Sequence, residues 1–190
     1  MEKSKIKKFE FVFHNFRPKL LINLFYILAK YIFTKEIAYR KMQRMAYEVV
    51  ERNMDEKEII IAGIKESGSI IAGVLTGFLK DIFAGEIKVL DIIIDKKEPK
   101  KISLSESMDF NDKVIIVCDD VSNSGRTLLY ALKPFIDYYP KKIQSLVLLE
   151  RSYREFPVAS DYVGMSVATA LSERIIVETD SEGITGARLE

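Results

Sequence analysis

Val114–Leu128 reads VIIVCDDVSNSGRTL, and the order of these residues decides how the rest of the chain is read. Four β-branched residues and Cys118 form an apolar run suited to a strand buried on both faces. Two acids follow, Asp119 and Asp120, then a loop of small residues, Ser122, Asn123, Ser124 and Gly125. Beyond Arg126 and Thr127, the spacing of Leu128, Leu129, Leu132, Phe135, Ile136 and Tyr139 predicts a helix. A small-residue loop opening a helix offers backbone N–H groups and a favourable dipole end to a phosphate. The hydroxyls of Ser122, Ser124 and Thr127 add donors. The acids would repel that anion, so they suit neighbouring hydroxyl groups or a cation. Together the two halves describe a site for a sugar phosphate. An ordinary helix N-cap accounts for one polar residue. It does not account for two acids and a hydroxyl-rich loop.

The flanking sequence repeats the strand–helix alternation. Ala38, Met42, Met45, Ala46, Val49 and Val50 share a helical face, and Glu58–Gly63 (EIIIAG) reads as a buried strand. Ile70, Ile71, Val74, Leu75, Phe78, Leu79 and Ile82 mark a second amphipathic helix, and Ile87–Ile94 a second strand. Ile143–Leu149 and Arg174–Val177 read as further strands with an irregular segment between them. This pattern predicts an α/β fold with a mainly parallel sheet flanked by helices. Ligands in such sheets bind at the carboxyl ends of the strands. Three such ends therefore matter: Lys65-Glu66-Ser67-Gly68, the lysine-rich stretch from Asp95 to Asp112, and the loop after Cys118.

Composition sets the remaining bounds. The 190 residues are 30% charged and 48% hydrophobic, with a net charge of +1, which excludes a wholly disordered chain and a polytopic membrane protein. Cys118 is the only cysteine and His14 the only histidine, so an internal disulfide and a Cys/His zinc site are both excluded. Cys118 is expected in the core, His14 at the surface, and the protein in the cytoplasm.

The charge is unevenly placed. Residues 1–35 carry eight basic and two acidic side chains, a net +6, and the remainder carries −5. The same segment holds the apolar run LLINLFYILAKYIF, Leu20–Phe33. As a helix its 14 residues would reach about 21 Å, short of the ~30 Å hydrocarbon core, and Asn23 and Lys30 interrupt it. A helical extension packed on the domain or on a second copy is expected. Peripheral membrane contact through residues 20–33 is the alternative. The division expected is an extension over 1–35, a domain over 36–180 and a tail over 181–190.

At Val114–Leu128 the chain resembles the phosphoribosyl-pyrophosphate (PRPP) motif of the type I phosphoribosyltransferases. AYRKMQRMAYEVVERN, IIIAGIKESG and LLERSYREFPVASDYVGMSVATALSERIIVE resemble segments of the bifunctional pyrimidine operon attenuator/uracil phosphoribosyltransferase (PyrR) family. The likeness runs from about Glu36 to Glu178 and leaves residues 1–35 unexplained. It implies the type I phosphoribosyltransferase fold and transfer of ribose-5-phosphate from PRPP to uracil, with Mg2+ bridging substrate oxygens. Asp119 and Asp120 would hold the ribose hydroxyls, with a water-mediated contact to the metal. Ser122, Asn123, Ser124, Gly125, Arg126 and Thr127 would cradle the 5′-phosphate. Lys65, Glu66, Ser67 and Gly68 would form the pyrophosphate loop, and Asp95–Asp112 a lid. Asp161, Tyr162, Val163 and Met165 would line the base pocket. A nucleobase or nucleoside monophosphate and a second copy in a dimer are the implied partners.

The departures from that family are specific. Glu66-Ser67 stands where a Thr-Arg pair is usual, which sets an acid beside a polyanion and loses a bidentate arginine. Lys96 and Lys97 are the nearest substitutes for an arginine expected in the lid. Met165 replaces a lysine and Tyr153 a histidine. The alternative function is a catalytically weak regulator that senses PRPP or nucleotide in pyrimidine metabolism. RNA is the less favoured partner, because Arg151 and Arg154 stand alone and the domain is net acidic. A receiver domain is excluded, since its acid pair opens the fold. Neither a Walker loop nor a dinucleotide fingerprint is present.

Overall fold

The computed structural model describes residues 31–95, 101–170 and 172–190. Most of the apolar run from Leu20, together with His14, Lys96 and Lys97, lies outside these residues.

A six-stranded sheet forms the centre, in the order β4-β3-β2-β5-β6-β7. Its strands are β2 (Glu58–Ile64), β3 (Glu86–Ile94), β4 (Ile102–Leu104), β5 (Val114–Ser122), β6 (Lys142–Arg151) and β7 (Tyr162–Val167). All pairings are parallel except β3 with β4. Helices α1 (Lys35–Asn53) and α2 (Ser67–Ile82) cover one face. The short α3 (Arg126–Ala131) and α4 (Lys133–Ile136) cover the other. The single helix expected over Leu128–Tyr139 is thus two, because Pro134 has no N–H to continue the ladder, although Leu132 between them keeps helical angles.

Side-chain alternation divides the core. In β5, Val114, Ile116 and Cys118 face α1 and α2, whereas Ile115 and Val117 face α3 and α4. Cys118 is fully buried, and burial pushes its thiol pKa up, so it is a core side chain as expected. The α1 spacing Met42, Met45, Val49 is likewise wholly buried, each side chain contributing about 1.5–3 kcal/mol.

A second sheet, in the order β1-β9-β8, joins β1 (Tyr31–Thr34), β8 (Ile175–Asp180) and β9 (Gly183–Leu189) in antiparallel pairs. The last residues of the apolar run are therefore strand, not helix, and most of the stretch read as a tail is a strand as well. The segment read as irregular between β6 and β8 contains β7. Among the described residues no helix is long and apolar enough to cross a membrane.

The order of the central sheet has a functional consequence. From β2 the chain moves to β3 on one side, and β5 then pairs with the other side of β2. The carboxyl ends of β2 and β5 flank this reversal, which is where an open α/β sheet leaves a crevice for ligand.

Candidate active site

Strand β5 runs further than its apolar stretch. Asp119 pairs with Val147 and Ser122 with Glu150, so both acids sit on the ladder with β6 rather than in a loop. Asp119 is buried, 2% exposed, and its Oδ1 accepts the backbone N–H of Asp120 at 3.0 Å. Asp120 is half-buried. Successive side chains on a strand point to opposite faces, so the two acids leave the end of β5 in different directions.

The loop that follows encloses a small cavity of about 50 Å3, lined by Asp119, Ser122–Thr127 and Leu128. Gly125 makes its bend at φ +83°, a conformation that disfavours any side chain. A Cβ there would also fall 3.3 Å from the carbonyl oxygen of Phe156. The Ser124 carbonyl accepts N–H groups from Glu155 (3.1 Å) and Phe156 (3.0 Å), which clamps the loop from outside. Arg126 lies over the Phe156 ring, 5.5 Å from its centroid. Within the cradle, the buried Ser122 Oγ has no hydrogen-bond partner among the described residues. A buried hydroxyl left so is costly unless something else meets it.

The loop after β2 stands beside this site. Gly68 packs on the β5 backbone, where an added Cβ would meet the Cys118 carbonyl oxygen at 2.7 Å. Glu66 takes φ 80° and ψ −120°, a strained conformation for a residue with a side chain. It is held there because its carbonyl accepts the N–H groups of Ser69 and Ile70, while Lys65 N–H donates to Ile92 at 2.8 Å. Lys65 and Glu66 are exposed.

One residue outside the expected set organises this end of the sheet. Asp91 Oδ1 accepts the Ser69 hydroxyl at 2.7 Å, and Asp91 N–H donates to Ser105 Oγ at 2.9 Å. It ties the start of α2 to the end of β4. A lone acid within VLDIII was the available signal. Phe156 was the other residue missed.

The residues expected around a base are split by height on the sheet. Val163 pairs with Val147, which pairs with Asp119, so two strand spacings of ~4.8 Å put Val163 about 10 Å from that acid. Met165 is level with Val121 and exposed. Tyr162 lies one step lower and is fully buried, its hydroxyl 3.3 Å from Asn53 Nδ2 and its ring 4.8 Å beneath the Arg52 guanidinium. Burial pushes the Tyr162 phenol pKa up. Asp161 accepts the Ser145 N–H at 2.8 Å.

The remaining charged candidates are engaged within the chain. Arg151 donates to Thr169 Oγ1 at 2.5 Å and to the Ala170 carbonyl. Arg154 pairs with the buried Glu150 at 2.7 Å. Tyr153 is exposed. Among the described residues no group of three acids, cysteines or histidines is placed to hold a metal by itself.

The model of the phosphoribosyl transferase domain family matches residues 29–181. The chain belongs to that family. It is a phosphoribosyltransferase. Among curated relatives, the bifunctional protein PyrR of Ligilactobacillus salivarius is 33% identical over 86% of this chain and 99% of its own. The bifunctional protein PyrR of Enterococcus faecalis is 36% identical over 74% and 84%. Among solved structures, a hypoxanthine phosphoribosyltransferase of Trypanosoma cruzi superposes with TM-score 0.69 at 17% identity, covering 85% of this chain and 97% of that one. A hypoxanthine-guanine phosphoribosyltransferase of Bacillus anthracis gives 0.63 at 20% identity, covering 77% and 85%. These two likenesses concern the fold.

Proposed function

We propose that this phosphoribosyltransferase transfers ribose-5-phosphate from PRPP to uracil, giving UMP and pyrophosphate. The Ser122–Thr127 loop carries the reading, because at the end of β5 it closes a small cavity lined by serine and threonine residues on a bend that Gly125 permits, a shape that suits a 5′-phosphate. Asp119 and Asp120 then meet the ribose hydroxyls. Lys65–Gly68 faces the pyrophosphate across the sheet's reversal point. In the reaction the bond from the anomeric carbon to the pyrophosphate oxygen breaks, a bond to the base nitrogen forms, and that nitrogen loses its proton. Positive charge develops on the sugar as pyrophosphate leaves, so the protein contributes mainly positioning and fixed charge.

Mg2+ fits this donor set. The ion is usually held by one or two carboxylates together with substrate oxygens, so a complete protein cage is not required. Asp119 and Asp120 are the residues that would hold it, through water. It would neutralise the departing pyrophosphate.

The preference for a pyrimidine rests on Asn123. Type I enzymes for 6-oxopurines generally place an acid at this loop position, where it can accept a proton from the purine ring. Asn123 cannot do so. Val163 and Met165 complete the base pocket, whereas Asp161, held by Ser145 level with Val117, and the buried Tyr162 side chain lie below it. Residues 36–180 form the catalytic unit together with β1 and β9, whose Phe33, Ile184 and Ala187 belong to its core, and a dimer is the working assembly. Steady-state turnover against uracil, hypoxanthine and guanine tests the proposal. Uracil should be the fastest, and faster turnover of either purine overturns the assignment.

Glu66-Ser67 supports a second reading, a weakly catalytic sensor of PRPP or nucleotide. Its mark would be tight nucleotide binding with little turnover of any base.

A further inference from the structure

The stretch between β6 and β7 passes behind the Ser122–Thr127 loop and does more than connect two strands. The Ser124 carbonyl is held toward it by two N–H groups, from Glu155 at 3.1 Å and Phe156 at 3.0 Å. In a trans peptide the N–H points opposite to the C=O, so the Gly125 N–H is turned away from Phe156. The small cavity is lined by the loop and by neither Glu155 nor Phe156, so that N–H is turned to the cavity side. Two contacts keep the loop in this attitude. A Cβ at Gly125 would lie 3.4 Å from the Val158 carbonyl oxygen and 3.6 Å from the Phe156 Cβ. The Phe156 ring also lies within cation–π reach of Arg126, which lines the same cavity. The connecting stretch is itself stiff. Its Phe156 carbonyl accepts the Val158 N–H at 2.8 Å across Pro157, and Arg154 ties it to the buried Glu150, the ladder partner of Ser122.

We propose that Phe156 is a positioning residue for the 5′-phosphate, acting through Ser124 and Arg126 rather than by touching the ligand. The inference rests on the phosphate reading of the Ser122–Thr127 loop and adds a residue from a distant segment to it. A loop whose N–H groups already converge has little ordering cost to meet when the anion arrives. Without the ring, Arg126 is free to swing into water and the loop loses the wall it packs against.

The test is calorimetry of UMP and of uridine with the parent, Phe156→Ala and Phe156→Tyr. The two ligands differ only in the phosphate. A general weakening of the site lowers both affinities, whereas a misplaced phosphate cradle lowers one. Phe156→Ala should bind UMP roughly tenfold more weakly, the worth of one hydrogen bond to a charged group, with uridine affinity unchanged. Phe156→Tyr keeps the ring and should restore UMP binding. Undiminished UMP affinity in Phe156→Ala overturns the proposal, as does an equal loss for uridine or a tyrosine variant that fails to restore binding. A parent that binds UMP no more tightly than uridine overturns the phosphate reading itself, and this inference with it. If Phe156→Ala fails to fold, Phe156→Leu, which keeps the bulk without the aromatic face, decides alone. Weaker UMP binding with uridine unchanged supports positioning, and an unchanged UMP affinity removes it.

Discussion

Gly68 and Asp119 are in backbone contact, a Cβ on the glycine falling 3.3 Å from the Asp119 Cα. The two halves of the site, one following β2 and one ending β5, are thereby fixed against each other. No side chain mediates the contact, so none can yield to relieve it. Gly68→Ala should destabilise the protein by about 1–3 kcal/mol, the usual cost of forcing a methyl group into a packed backbone. It should also weaken PRPP binding more than UMP binding. The denaturation midpoint gives the first quantity and calorimetry the second.

Replacing Asp119 and Asp120 together with Asn removes the charge but preserves the shape. Affinity for PRPP and for nucleotide should fall, while circular dichroism stays unchanged. Calorimetry showing undiminished affinity would count against the ribose assignment.

Asn123 is exposed and lies in the phosphate cradle. Asn123→Asp should raise turnover of hypoxanthine relative to uracil, by restoring a proton acceptor at that position. The ratio of kcat/KM for the two bases reads it directly.

Glu66→Thr with Ser67→Arg would replace an acid by a neutral side chain and supply a guanidinium to pyrophosphate. A charge-assisted hydrogen bond contributes about 1.5–3 kcal/mol, so kcat/KM for PRPP should rise roughly tenfold to a hundredfold. The exchange leaves the 5′-phosphate cradle untouched, so UMP affinity should hold. If turnover of the double variant equals the parent's, this loop is not what limits catalysis.

Glu58, at the amino end of β2, receives Lys88 at 2.7 Å and Lys113 at 2.9 Å. The hydrogen bond from Lys88, then that from Lys113, holds its carboxyl below the ordinary 4.5. A lowered folded-state pKa gives stability that is complete above pH 4.5 and fades as pH falls through the folded value. Glu58→Gln should therefore lower the melting temperature at pH 7 and converge on the parent in stronger acid. Melting curves from pH 7 to pH 3 follow the convergence.

The sequence made the centre of this molecule legible and its margins obscure, for physical reasons. β2 and β5 are buried on both faces and carry uninterrupted apolar runs, Ile59–Ile64 (Gly63 apart) and Val114–Cys118. β3 and β6 stay legible because apolar residues still dominate around Lys88, Asp91, Gln144 and Ser145. β9 reads GITGARL, two glycines and an arginine, and no such run distinguishes it. β7 reads YVGMSV and lies at an edge, where exposed Met165 and Ser166 need not be apolar. β1 ends an apolar stretch with the composition of a helix, and its pairing with β9 decides it. In the site, the acids and the phosphate loop are contiguous and could be read locally. Asp91 and Phe156 come from distant segments, and only the fold brings them to the loops they brace.

The small sheet also imposes an order in time. Phe33 pairs with Ala187 across about 150 residues, which at about 5–20 residues per second take roughly 8–30 s to synthesise. Throughout that interval β1 has made none of its ladder bonds, although α1 directly behind it has long been complete. A nascent chain is therefore vulnerable at β1 until β9 emerges. Slowing translation between β1 and β9 should cost yield of folded protein without changing any residue.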